Sequence, residues 1–164
     1  MQPRIETIAA KTLVGMRLTM SLTHNRTSDL WRAFMPLRHQ IANQLSTELI
    51  SLQTYPAGYF DAFNPAVEFE KWALAEMSDV GNVPDKMQAF TLPGGLYAVF
   101  LDKGSSSDTR TIQYIFTTWL PASAYELDHR PHFEVLGANY KNADPHSEEE
   151  IWIPIRPKTM AIPI

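Results

Sequence analysis

Apolar positions along the chain recur with two different periods. Between residues 28 and 46, Leu30, Trp31, Phe34, Leu37, Ile41 and Leu45 fall three and four apart, forming one stripe of a helix. Thr27, Ser28 or Asp29 offers a side-chain oxygen to cap its start. Pro36 lies inside this run. A proline there removes one hydrogen bond and crowds the preceding turn, so the pattern predicts a kink or a late start. Ile112, Ile115, Phe116 and Trp119 repeat the helical spacing, with Asp108 or Thr109 as cap and Pro121 as the end.

The period of two marks strands. Thr12–Met20 precedes the first helix, and Leu96–Leu101 precedes the second, between Pro93-Gly94-Gly95 and Gly104 with its three serines. Residues 50–55 and 69–77 follow the first helix; residues 125–128, 133–136 and 150–155 follow the second. Corresponding elements stand about 80 residues apart, and Glu70-Lys71-Trp72 matches Glu150-Ile151-Trp152. The spacing predicts one domain over 1–164, built from pseudo-symmetric halves of about 1–82 and 83–164 by duplication of a β–α–β unit. A half of that size buries little surface alone, so the halves must share a sheet. With both helices on one face, the other face is left as a trough, and clefts between related halves suit small ligands.

The last strand has two unlike faces. Ile151, Ile153 and Ile155 point one way and Glu150, Trp152 and Pro154 the other. The isoleucine face is core. A carboxylate beside an indole suits a cationic or aromatic ligand, while Pro154 implies an edge or an interruption. The spacing leaves Glu150 open between pocket and solvated edge; Glu148 and Glu149 read as solvated. In the first half, Glu70, Trp72, Leu74 and Glu76 share a face, and a pseudo-twofold would set Trp72 and Trp152 around one cavity.

Composition narrows the chemistry. With 14 Lys and Arg against 18 Asp and Glu and a net charge of -4, no clustered basic surface is at hand to track phosphates. Zero Cys removes disulfides, thiolate catalysis and sulfur-ligated zinc. His129 and His132 would point to opposite faces of a strand, so neither a metal nor a cofactor is expected. No phosphate loop, dinucleotide fingerprint or nucleophile elbow occurs. Arg4, Glu6, Lys11 and Arg17 interrupt the first twenty residues, and no run reaches membrane-spanning length. A cytoplasmic protein without membrane contact is the expectation.

Trp119-Leu120-Pro121 with Ser123, the terminal Glu150-Ile-Trp-Ile-Pro-Ile155, Phe69-Glu-Lys-Trp-Ala73, Gly95-Leu-Tyr-Ala-Val-Phe100 and Pro131-His-Phe-Glu-Val-Leu-Gly137 together resemble the GyrI-like small-molecule-binding domain. That family supplies the effector-binding domain of AraC-type and MerR-type multidrug regulators, and the likeness is to a stand-alone bacterial branch. The resemblance implies an α+β fold of tandem βαββ units, an antiparallel sheet with helices on one face and a ligand cleft on the other. It also implies a pocket glutamate for cationic aromatic ligands, which by motif position is Glu150. Two departures stand out. Val135 and Leu136 replace the aromatic residue that often follows the Phe-Glu pair, which narrows the expected ligand range, and no helix-turn-helix module fits beside the domain.

The expected function is binding of a small hydrophobic or cationic aromatic compound, as sensor or sequestering module, with no direct contact to nucleic acid. Glu150, Trp152, Trp72, Glu76, Tyr97 and Tyr114 are the candidate ligand-binding residues. One alternative implied by the resemblance is a hydrolase of strained cyclopropane-bearing toxins, with Glu150 acting on water and Tyr97 or Tyr114 polarising the leaving oxygen. Others are a role shielding a topoisomerase, for which the acidic charge is too diffuse, and haem binding, for which no histidine sits clearly on a pocket-facing element.

Overall fold

The computed structural model describes residues 1–79 and 81–159. Its strands are β1 (Arg4–Ile8), β2 (Lys11–Met20), β3 (Leu49–Thr54), β4 (Phe69–Glu76), β5 (Gln88–Leu92), β6 (Gly95–Lys103), β7 (Tyr125–Leu127), β8 (His132–Leu136) and β9 (Glu148–Pro157). All pair antiparallel, in the order β1-β6-β9-β8-β3-β4-β2-β5, with β7 against the end of β9. The α+β class and the antiparallel sheet follow the expectation.

The two halves pair alike. β4 lies between β2 and β3, setting Trp72 opposite Arg17 and Leu52. β9 lies between β6 and β8, setting Trp152 opposite Val99 and Phe133. The halves meet where β3 pairs with β8. Both tryptophans turn to the same face of the sheet, packed in one apolar cluster.

The helices depart from the expected lengths. α1 (Thr27–Phe34) gives way at Met35–Gln40 to a 3-10 turn carrying Pro36, so the predicted interruption shortens the helix rather than bending it. The second helical run comprises α2 (Arg110–Tyr114), a π turn over Ile115–Trp119 and α3 (Leu120–Ala122). Pro121 lies inside its last turn rather than beyond it. Because proline has no N–H for the Thr117 carbonyl, the regular ladder cannot run through this point, and the wider turn sits just before it. Pro154 marks an interruption, as its position suggested. β8 pairs with β9 only as far as Trp152 and β7 begins at Ile155, so the missing N–H falls in the gap.

Two strands without a strong sequence signal decide the shape. β1 pairs with β6 of the other half, and β5 pairs with β2. Only two residues separate β1 from β2 and two separate β5 from β6. Arg4 faces Val99, Ile8 faces Gly95, Lys11 faces Leu92 and Gly15 faces Gln88, one unbroken register through both joints. The two ends of the sheet are therefore knitted together, and the sheet curls around its own helix-free face. That face is filled by Leu13, Leu52, Trp72, Leu74, Leu92, Tyr97, Phe133 and Trp152. The trough expected there is closed by core packing. On the opposite, outer face, α1 packs through Leu30 and Phe34 on Val14, Ala73 and Ala75. The second helical run packs through Ile115, Phe116 and Trp119 on Ala98, Phe100 and the three isoleucines of β9.

The joint tolerates no side chain at Gly94, where a Cβ would lie 2.6 Å from the Ile8 carbonyl oxygen and 2.9 Å from the Ala10 nitrogen. Gly94→Ala should therefore destabilise the protein by about 1–3 kcal/mol, the usual range for overpacking. Urea unfolding measures this, and unchanged stability would show that the joint is looser than the register implies.

Candidate functional site

The space left open lies on the helix-bearing face, between the two helical layers where β3 and β8 meet. There the sheet presents Gln53, His132, Glu134, Ile151 and Ile153 upward as the floor of a cavity of about 560 Å3. Ile112 and Phe116 of the second helical run form one wall. The connection from β3 to β4 folds over the top and contributes Tyr55, Tyr59, Phe60 and Phe63. A surface loop this rich in aromatics has a reason to turn inward, because hydrophobic burial drives rings out of water. The cleft expected on the helix-free face thus lies on the other side, since the sheet's closure fills the inner face.

Glu134 is the one carboxylate among these cavity-lining residues. It lies deep and reaches solvent only by way of the cavity. Gln53 Nε2 donates to its Oε2 at 3.1 Å. Burial raises its pKa, while the Lys71 ammonium and the Gln53 hydrogen bond work against that rise. Lys71 in turn donates to Thr27 Oγ1 at 3.2 Å. Farther along the same face lie Glu149 and Asp102, directly opposite each other on β9 and β6, and Asp102 accepts 2.6 Å from the Thr111 hydroxyl. Burial, then the charges of Glu134 and Asp102, push the Glu149 carboxyl up to about 7. The Lys71 ammonium acts on both Glu134 and Glu149, so one cation serves two carboxyls.

His132 is 7% exposed, and burial alone lowers its pKa to about 3. At neutral pH it is an uncharged ring. Phe60 stacks on it at 5.0 Å and on Phe116 at 5.4 Å between centroids. Tyr55 closes the group edge-on to both His132 and Phe60, and burial raises its hydroxyl pKa.

The residues singled out in the sequence are placed elsewhere. Trp72, Tyr97 and Trp152 turn to the inner face and are buried there; Trp152 touches the cavity only as the strand residue between Ile151 and Ile153. Glu150 forms an ion pair with Arg4 at 2.7 Å, and the Arg4 guanidinium lies 5.6 Å from the Trp152 ring centroid. The carboxylate-plus-indole arrangement does hold a cation: the chain's own arginine. The first half repeats it, with Arg17 over Trp72 at 5.5 Å and paired with Glu70 at 3.1 Å. Glu76 pairs with Lys11 at 3.5 Å, and the Tyr114 hydroxyl donates to the Met1 carbonyl at 3.1 Å. Glu134 and the aromatic connector were missed. Their signals were a strand with polar residues on the helix side, His132 and Glu134, and four aromatics within Tyr55–Phe63.

Among the described residues no group of three or more His, Asp or Glu is arranged to hold a metal ion, and no helix is long and apolar enough to cross a membrane.

Comparison with known proteins identifies the family and the fold. The model of the GyrI-like small molecule binding domain matches residues 1–156. Transcriptional regulator BrlR of Pseudomonas aeruginosa is 29% identical over 157 residues, covering 94% of this chain; the chain spans 56% of that regulator's length. A solved structure of SAV2435 bound to tetraphenylphosphonium matches with a TM-score of 0.67 at 15% identity, over 95% of this chain and 94% of that one. A hydrolase from Listeria innocua matches at 0.63 and 9% identity, over 94% and 92% of the two chains. At such identities the structural matches speak to the fold alone.

The raised Glu149 carboxyl makes a prediction. It stays protonated in the folded chain up to about pH 7 but ionises near pH 4.5 when unfolded, so its contribution to stability falls as pH rises through that window. Glu149→Gln should match wild type in stability below about pH 4 and gain on it steadily up to about pH 7. His132 pulls the other way between about pH 3 and 6.5, but equally in both proteins. Parallel stability curves from urea unfolding across pH would refute the assignment.

Proposed function

The chain belongs to the GyrI-like small molecule binding domain family, and from that premise we propose that it binds aromatic cations in the cavity over β3 and β8, with Glu134 as their counter-charge, acting as a sensor or sequestering module. The observation that carries this reading is a carboxylate at the floor of a cavity walled by aromatic rings. Burial strips Glu134 of hydration, so a cation that restores a charge partner gains more there than at a solvated carboxylate. Phe116 and Tyr55 add ring faces and edges, which favour flat and positively charged groups. Glu150, already paired with Arg4, lies outside this reading. The ligand-bound relative carries a lipophilic phosphonium, which supports the choice of probe.

A second reading, hydrolysis, uses the same cavity. Glu134 is the carboxylate at the cavity floor, placed to act on a water beside a bound substrate, and a hydrolase shares the fold.

Calorimetric titration tests the first reading. Glu134→Gln should weaken binding of tetraphenylphosphonium by about tenfold or more, as expected for loss of a charge-assisted contact, and leave triphenylphosphine oxide, a neutral analogue, unchanged. Glu150→Gln should alter neither. Loss of the cation preference in Glu150→Gln but not in Glu134→Gln would move the site to the other face. A product formed from an electrophilic aromatic compound at substoichiometric protein, and abolished in Glu134→Gln, would establish the second reading instead.

A further inference from the structure

The Phe60 ring occupies an unusual position. It lies within 15° of parallel to both Phe116 and His132, at 5.4 and 5.0 Å between centroids. Phe116 and His132 are themselves near parallel and only 6.3 Å apart. A ring sandwiched between them would force that separation toward the sum of the other two. Phe60 therefore rests across both rings, as a third plate on a two-ring platform.

His132 is 7% exposed and Phe116 packs half-buried against the core, whereas Phe60 is 43% exposed. Phe60 covers the platform while little covers Phe60. It is carried by the long connection between β3 and β4, where the backbone bonds near it are turns: Tyr59 N–H to the Pro56 carbonyl and Asp61 N–H to the Gly58 carbonyl, both at 3.1 Å. Gly58 sits between them at φ +78°, a conformation open to glycine at little cost.

Behind Phe60 is a second cavity, of about 540 Å3, reaching toward Tyr125, Asp128 and Arg130. Tyr55, Tyr59, Phe60, Leu120, Leu127 and His132 line both cavities. Of these, Phe60 is the most exposed. It is the partition.

We propose that Phe60 is the protein's own occupant of a stacking subsite, and that a flat ring of the ligand replaces it on the Phe116–His132 platform, opening the second cavity to the rest of the ligand. The class so selected is an aromatic cation of more than one ring, with its positive centre over Glu134 and a ring on the platform. A neutral His132 suits this, because it faces an arriving cation without repulsion. Single-ring cations fit in the first cavity and gain nothing from displacing Phe60. The inference rests on the proposed cation site and adds an internal competitor to it.

Because stacked aromatic pairs contribute modestly beyond their area, removing the competitor should improve affinity by about tenfold. The experiment titrates wild type, Phe60→Ala, Phe60→Leu and Phe116→Ala, each first checked for folding by thermal unfolding. The probes are tetraphenylphosphonium and the single-ring benzyltrimethylammonium. Phe60→Ala and Phe60→Leu should bind tetraphenylphosphonium about tenfold more tightly and benzyltrimethylammonium as wild type does, while Phe116→Ala should bind tetraphenylphosphonium more weakly. In wild type, amide exchange over residues 56–63 should accelerate when tetraphenylphosphonium binds, as the ring leaves its place. Weaker binding in both Phe60 variants, or slower exchange over that segment, would make Phe60 a wall or clamp and overturn the inference. Tighter binding in the Phe60 variants with no effect of Glu134→Gln would sustain the subsite while the counter-charge reading fails. Failure of both probes to bind any of the four proteins would overturn both.

Discussion

The joint where Ile8 to Lys11 crosses Leu92 to Gly95 governs the rest of the molecule. Antiparallel pairing demands that each strand find a neighbour at 4.7–4.9 Å or so, and here β1 and β5 find theirs in the opposite half. The sheet has no choice but to curl. Its inner face becomes an apolar core, and space for a ligand can then exist only on the outer face, between the helical layers. The side of the sheet on which this cavity forms is thus set by backbone pairing far from it.

Charge follows the same geometry. On the inner face, each tryptophan is met by a glutamate and an arginine: Glu150 and Trp152 take Arg4 from the other half, while Glu70 and Trp72 take Arg17 from their own. In each, the carboxylate beside the indole already has an arginine as its ion-pair partner. On the outer face, Glu134 and Glu149 share one nearby ammonium, Lys71. The imbalance, rather than the presence of carboxylate and aromatic groups, separates a candidate binding site from a structural one.

Much of this was legible in the sequence. The alternation along Glu150–Ile155 divided the faces of β9 correctly, with Ile151, Ile153 and Ile155 under the second helical run. The helical stripe of residues 28–46 was read too long because α1 ends by Phe34 and the rest coils as a 3-10 turn around Pro36. β1 and β5 escaped because five-residue strands of mixed polarity carry little period-two signal, and their partners lie in the distant half, where local propensity has no reach. Missing them placed the expected cleft on the inner face, which core side chains fill, and drew attention to Glu150 rather than Glu134. Glu134 was in plain view on a strand of alternating polarity; its importance depends on what lies across the sheet, which only the fold supplies.

The exchange of β1 and β5 between halves also constrains how the chain can assemble. β1 is made well before β6, its one strand partner among the described residues, and Arg4 waits for Val99. β3, in the first half, likewise needs β8. The first half therefore has two unfinished seams until the second is synthesised. Contacts this distant in sequence slow folding, because the loop must close before they repay it. The nascent first half spends that interval with an unpaired β1 edge, and Arg4 and Glu6 on it discourage pairing with the wrong chain, as charges on an edge strand do.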